Sequence, residues 1–224
     1  PFCYIGKRNF EKALGDFAEA EHVEIEWKSF LLDPNMPEEA NEDYRELLIT
    51  KKGMSPQQVD GMLENIQRMA KQAGLTYDFD KVVPVSSNKA HQLIQLAKSK
   101  NLDNEAEERL FSAYFTEGEN IADETTLIRL AGEIGIGEKE ARSALADPTY
   151  ADRVQADIRE ARKLGVSGVP FFVFDRNYAV SGAQPPAAFA QNLETAFVEW
   201  RKKNPESKLK VDQGQSCTPE GSCD

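Results

Sequence analysis

From about Glu38 to Leu164 the chain keeps a helical period almost without a break, and at Gly165 that period stops. Any fold must house this block and then switch to strands. Within it, Ser55-Pro56-Gln57-Gln58 is a capping box with proline at the first helical position. Behind it Val59, Met62, Leu63, Ile66, Met69, Ala70 and Ala73 form one apolar stripe, ended by Gly74. Asn88 to Lys100 carries Leu93, Ile94 and Ala97, and Asn104 to Phe115 carries Leu110, Phe111, Tyr114 and Phe115. Asp123 opens a helix with Leu127, Ile128, Leu130, Ala131 and Ile134; Asp147-Pro148 opens another that runs to about Leu164. The stripes are expected to face a shared core, as packing rather than as a cofactor box.

After Gly165, Val169-Pro170-Phe171-Phe172-Val173-Phe174 is a short continuous apolar run, as in a strand covered on both faces. Asp175-Arg176-Asn177 reads as a hairpin turn, and Tyr178 to Ser181 returns as a second strand stopped by Gly182. Pro185 or Pro186 opens a last helix with Phe189, Ala190, Leu193, Ala196, Phe197 and Trp200 along one side. At the other end, Pro1 to about Ala20 reads as a helix, and Val23 to Trp27 alternates like a half-buried strand, continued by Phe30-Leu31-Leu32. The order is helix, strand, helical block, strand, hairpin strand, helix. That is a small α/β core with a large helical insertion, and no internal repeat is visible. The expected boundaries are 1–35 and 165–203 for the core, 36–164 for the insertion and 204–224 for a polar, mobile tail.

Composition narrows the function classes. The 224 residues are 40% hydrophobic and 29% charged, enough apolar material for a core. Acidic residues outnumber basic ones, 38 to 27, for a formal charge of −11, so nucleic acids and anionic membranes are not expected partners. No stretch approaches the roughly 18 apolar residues of a membrane span. Three cysteines are too few for a disulfide scaffold.

Cys3 lies in the first turn of the opening helix. Unpaired N–H groups and the helix dipole there favour a thiolate, the reactive form. The competing reading is an inert cysteine packed as a small hydrophobe. Cys217 and Cys223 flank a segment with Pro and Gly that can close a small ring; incidental thiols, a zinc pair and an auxiliary redox pair all remain open. His22 and His91 read as surface or satisfied histidines. Acidic runs at Glu38-Glu39 and Glu105 to Glu108 read as solvated helix faces. No phosphate-binding Gly loop stands out, nor a Ser or Cys beside a credible histidine base.

Four segments in order resemble the DsbA family, and within it the cytoplasmic FrnE-like branch. Residues 1–10, Pro-Phe-Cys-Tyr-Ile-Gly-Lys-Arg-Asn-Phe, resemble the segment after the first cysteine of its Cys-Pro-Phe/Trp-Cys motif. Ala113-Tyr114-Phe115-Thr116-Glu117-Gly118 resembles the branch's insertion signature. Gly165 to Phe174 resembles its cis-proline strand, and Val180-Ser181-Gly182-Ala183-Gln184 the hairpin that follows. The resemblance implies a thioredoxin-like fold whose first strand, and first redox cysteine, are expected ahead of Pro1. It implies that Pro1 and Phe2 are the dipeptide between two redox cysteines, and that Cys3 is the second, resolving thiol. It implies a cis Val169–Pro170 bond beside the thiols, with the backbone of Val169 free to pair with a bound substrate chain. It also supports the auxiliary redox role for Cys217 and Cys223.

The implied function is thiol–disulfide oxidoreductase or isomerase, acting on disulfide proteins or small thiols in the cytoplasm as a monomer or homodimer. No organic cofactor and no metal is implied. One rival is a glutathione-dependent enzyme, since kappa-class glutathione transferases and 2-hydroxychromene-2-carboxylate isomerases share this fold and place a Ser at the first cysteine. The other is a non-catalytic, thiol-dependent chaperone using the groove near Val169–Pro170.

Overall fold

The structure is a computed structural model that describes residues 1–40 and 42–205. Helix α1 spans Phe2–Gly15. The insertion carries α2 (Tyr44–Lys52), α3 (Pro56–Gln72), α4 (Asn88–Lys98), α5 (Asp103–Ser112), a π-helical turn over Ala113–Glu117, α6 (Glu124–Glu133), α7 (Glu138–Ala146) and α8 (Pro148–Lys163). Strands β1 (Phe171–Phe174) and β2 (Tyr178–Ser181) and helix α9 (Pro186–Lys203) close the chain.

Local chemistry accounts for most boundaries. The Ser55 hydroxyl accepts from the Gln58 N–H while the Gln58 side chain accepts from the Ser55 N–H, the reciprocal cap that starts α3. Asp123 and Asp147 cap α6 and α8 by accepting from the N–H groups of Thr126 and Thr149. Helix α7 was not marked by the sequence pattern as an element of its own: it is short, and its inward residues are the alanines 141 and 144, which give a faint stripe. β1 and β2 pair antiparallel with Phe172 opposite Val180, and the turn places Asp175 and Arg176 at positive φ (46° and 57°).

The helices do not share one core. Leu93, Leu96, Leu110, Leu127 and Leu130 pack in one cluster, from α4, α5 and α6. The α3 stripe (Val59, Leu63, Ile66, Ala70) packs with Tyr4 and Ile5 of α1 and with Tyr77 and Phe79 in a second. A third joins Phe10 and Ala13 of α1 to Phe174, Val180, Phe189 and Leu193. Helix α3 thus packs with α1 and with the Phe111–Phe115 stretch, apart from the cluster of Leu93, Leu96, Leu127 and Leu130. This separation corrects the expectation of a single core.

Two strand expectations also change. Val23–Trp27 forms no strand, because the described sheet is a two-stranded hairpin that pairs with itself. Side chains hold the adjoining stretch instead: the Ser29 N–H donates to Asp157 of α8 at 2.9 Å, and Lys98 of α4 reaches the Trp27 carbonyl at 3.3 Å. Nor is β1 covered on both faces. Phe174 is buried against Phe10 and Phe189, whereas Val173 is 42% exposed.

Candidate active site

Helix α1 places the thiol. Pro1 stands at its N-cap and Cys3 in its first turn, half-buried, followed by a buried run of Tyr4, Ile5, Gly6 and Lys7. The helix-start argument predicts a thiol with lowered pKa. The structure corrects that expectation: burial pushes the Cys3 thiol up, and the Glu107 carboxylate pushes in the same direction. A thiol in this state is protonated at neutral pH and becomes a nucleophile only when its proton is taken.

Gly6, on the same face of α1 one turn after Cys3, brings the hairpin close. A Cβ at Gly6 would lie 3.1 Å from Cγ of Pro170 and 3.2 Å from Cζ of Phe172. The lack of a side chain therefore lets Pro170 seat against the helix. The Val169–Pro170 peptide is cis, and the Pro170 carbonyl accepts from the Gly182 N–H at 2.8 Å, which ties it to the end of β2. Among the described residues the backbone N–H and C=O of Val169 make no hydrogen bond. Phe2 is 38% exposed beside the thiol.

The insertion holds the start of α1 from the other side. The buried Tyr77 donates its hydroxyl to the Pro1 carbonyl at 2.8 Å, an oxygen that also accepts from the Ile5 N–H at 3.3 Å. Burial pushes the Tyr77 phenol far up, so it stays a donor. Its segment is clamped by the π-helical turn: the Asp78 N–H donates to the Phe115 carbonyl at 2.8 Å and the Thr116 hydroxyl to the Thr76 carbonyl at 2.7 Å. Gly118 ends that turn at φ +75°, where a Cβ would lie 2.7 Å from the Lys81 carbonyl oxygen; only glycine fits.

Helix α5 meets α1 through an ionic cluster. Glu108 accepts from the Tyr4 hydroxyl, from the Lys7 ammonium at 3.0 Å and from the Arg8 guanidinium, while Lys7 and Arg8 also pair with Glu11. Lys7 is 1% exposed. Burial works against a charge on Glu108, but Tyr4, Lys7 and Arg8 outweigh it and hold the carboxyl below its usual range. Glu107 is buried too, 6% exposed, and its carboxyl makes no hydrogen bond or ion pair among the described residues. Burial pushes its carboxyl up to about 8, more than nearby Lys7 pulls it back. Glu107 and Glu108 thus correct the reading of residues 105–108 as a solvated face; Glu105, Glu38 and Glu39 are exposed as expected.

The structure gathers Pro1, Phe2 and Cys3 on one side and Val169 and Pro170 on the other around the start of α1. Cys217 and Cys223 lie outside the described residues. His22 is exposed and stacks on Phe197, while the half-buried His91 meets the expectation of a satisfied histidine only in part: it has a hydrogen bond with the Phe30 backbone, but its buried Nδ1 has no partner. Burial lowers the His91 pKa to about 4. Sequence reasoning passed over Lys7, Tyr77, Glu107 and Glu108. A signal existed for two of them. Lys7 interrupts the apolar phase of α1, and Glu107 stands three and four residues before Leu110 and Phe111, on an apolar face.

No helix of the described residues is long and apolar enough to cross a membrane. A family model described as "DSBA-like thioredoxin domain" matches residues 1–194. The chain is 29% identical over 208 residues to the uncharacterized protein YwbO of Bacillus subtilis strain 168, covering 91% of this chain and 93% of that one. A probable DsbA oxidoreductase of Streptomyces coelicolor superposes with a TM-score of 0.84 at 37% identity, covering 100% of this chain and 94% of that one. The cytosolic disulfide reductase DsbM of Pseudomonas aeruginosa is alike in fold, with a TM-score of 0.60 at 17% identity over 88% of this chain and 93% of that one.

Proposed function

We propose, for a chain that belongs to the DSBA-like thioredoxin domain family, that it catalyses thiol–disulfide exchange at Cys3 beside the Val169–Pro170 peptide. The observation that carries this reading is the close approach of Pro170 to Gly6, one helical turn from Cys3. It makes a shallow site with a thiol on one wall and the unpaired backbone of Val169 on the other. An extended substrate chain can hydrogen-bond to Val169 there and present a disulfide to the thiols, with the exposed Phe2 as an apolar contact.

Cys3 takes the resolving role, which suits its raised pKa. A mixed disulfide forms at a more acidic thiol that the motif resemblance puts immediately ahead of Pro1. The Cys3 thiolate attacks that sulfur, a disulfide closes within the motif and the substrate leaves as a thiolate. Substrates are disulfide-bearing proteins or small thiols, and the branch resemblance favours a cytoplasmic setting.

Insulin reduction and scrambled-ribonuclease refolding test the proposal. Activity of the complete protein in either assay, lost in Cys3→Ser with the fold intact, is the expected result. Suppressed aggregation without turnover would put the chaperone reading in its place, and a glutathione-transfer activity insensitive to Cys3→Ser the transferase reading.

A further inference from the structure

The segment Ala113-Tyr114-Phe115-Thr116-Glu117-Gly118 has no task in the exchange reaction as described so far. Its first five residues form the π-helical turn, a rare geometry that recurs at functional sites. The contacts of that turn converge on one side chain. The Thr116 hydroxyl donates to the Thr76 carbonyl at 2.7 Å and the Asp78 N–H to the Phe115 carbonyl at 2.8 Å, so the turn grips both neighbours of Tyr77. From α3, the Gln67 side-chain amide donates to the carbonyl of Tyr77 itself at 3.3 Å. The Tyr77 ring is flanked by those of Phe115 and Phe79, with centroids 5.0 and 5.7 Å away. Held in this way, its hydroxyl donates to the Pro1 carbonyl at 2.8 Å. The Ile5 N–H reaches the same oxygen only at 3.3 Å, beyond the usual range for such a bond. The insertion therefore holds this oxygen more closely than α1 does. Pro1 and Phe2 are also the residues that, in the proposed motif, join the two thiols.

We propose that Thr116 and Tyr77 are positioning residues for the resolving step: the π-helical turn fixes Tyr77, and Tyr77 fixes the peptide between the two thiols so that Cys3 meets the mixed disulfide in line. This rests on the reading of Cys3 as the resolving thiol. In that step the Cys3 S–H proton goes to water and the Cys3 sulfur bonds to the motif sulfur. The bond from the motif sulfur to the substrate breaks, and the substrate sulfur leaves with the electron pair as a thiolate. Cys3 is oxidised and the substrate sulfur reduced. Neither Thr116 nor Tyr77 touches the reacting atoms. Their effect is geometric, since a misplacement of about 1 Å can slow a positioned step by roughly a hundredfold. Burial keeps the Tyr77 phenol protonated, so the hold persists at the alkaline pH where the buried Cys3 thiol ionises.

The test uses the complete protein with insulin as the disulfide substrate. Rapid acid quenching and mass spectrometry time the mixed disulfide, and iodoacetamide alkylation of Cys3 across pH, resolved by peptide, reports its ionisation and access. Tyr77→Phe and Thr116→Val each remove one hydroxyl and keep the shape of the side chain. In each, the mixed disulfide should live about three to ten times longer, with the Cys3 alkylation profile as in wild type. Thr116→Ser, which keeps the donor, should restore the wild-type lifetime. In the double variant the two effects should not add, because Thr116 acts through Tyr77. Asp123→Ala uncaps α6 and lowers Tm without touching this relay, and should leave the lifetime unchanged. Wild-type lifetimes in the single variants, additive effects in the double, or a longer lifetime that merely follows a shifted alkylation profile overturn the proposal. Insulin turnover by the wild type separates the two claims: turnover with unaffected variants defeats this inference alone, and absent turnover defeats the functional reading.

Discussion

The Tyr77 hydroxyl donates to the carbonyl of Pro1 at 2.8 Å, so a side chain of the insertion fixes the backbone from which the helix of Cys3 starts. The same oxygen receives the first helical hydrogen bond from Ile5. Position 77 therefore governs how the Pro1-Phe2-Cys3 turn is held, although it is distant from that turn in sequence.

Tyr77→Phe keeps the ring contacts with Phe115 and Tyr4 and deletes only the donor. The Pro1 carbonyl retains Ile5, so the loss is one net hydrogen bond, about 0.5–1.5 kcal/mol. For a chain of this size that lowers Tm by a few degrees, roughly 2–4 °C per kcal/mol. Differential scanning calorimetry reads the shift, and the Cys3 exchange rate should change with it.

Gly6→Ala sets a methyl 3.1 Å from Pro170 and 3.2 Å from Phe172. The helix gains up to about 1 kcal/mol in propensity, but moving the hairpin away costs about 1–3 kcal/mol. Net destabilisation and weakened disulfide exchange are expected in thermal melts and insulin assays. Gly15→Ala, with open space around its Cβ, is the control and should stabilise.

Lys7→Met removes an ammonium that is 1% exposed and pairs with both Glu11 and Glu108. Breaking a buried ion pair from one side costs about 3–5 kcal/mol, and Arg8, which also binds both carboxylates, keeps the loss toward the lower figure. Urea denaturation should show a clear drop in midpoint. Arg142→Ala, which breaks an exposed pair with Glu138, should leave the midpoint where it was.

Glu107 also makes stability depend on pH. Its carboxyl titrates near 4.5 when unfolded and about 8 when folded, so the folded state holds the extra proton between those values. Stability from this group is complete below about 4.5 and is lost as pH rises towards 8. The advantage of Glu107→Gln over wild type should therefore grow across that window, on the order of 1 kcal/mol per pH unit at its steepest, and level off above it. Paired urea titrations at several pH values measure the difference directly.

The parts of this fold that local chemistry dictates were readable before any coordinates. Ser55-Pro56 and Asp147-Pro148 start helices where they should, and the hairpin turns at Asp175-Arg176. What could not be read depends on partners distant in sequence. A period-two stretch such as Val23–Trp27 becomes a strand only if another strand lies beside it; Lys98 and Asp157 took hold of its continuation instead. The thiol's location at a helix start was legible, but its ionisation was not, because burial opposes the helix effect. For the same reason a run of four residues rich in glutamate looked like a wet surface. Two of its members face α1, and only the helix–helix docking reveals which two.

The side chains of α5 reach the helix of Cys3 from a different stretch of the chain. Glu108 of α5 reaches the thiol's helix at Tyr4, Lys7 and Arg8, while Pro170 approaches it at Gly6 and the apolar stripe of α3 packs on Tyr4 and Ile5. Glu107 raises the Cys3 pKa, so a substitution there changes how readily the thiol gives up its proton without altering Pro1, Phe2, Val169 or Pro170. The helical insertion in this sense bears on the ionisation of Cys3 from outside the segment that carries it, and is open to change there by drift or by design.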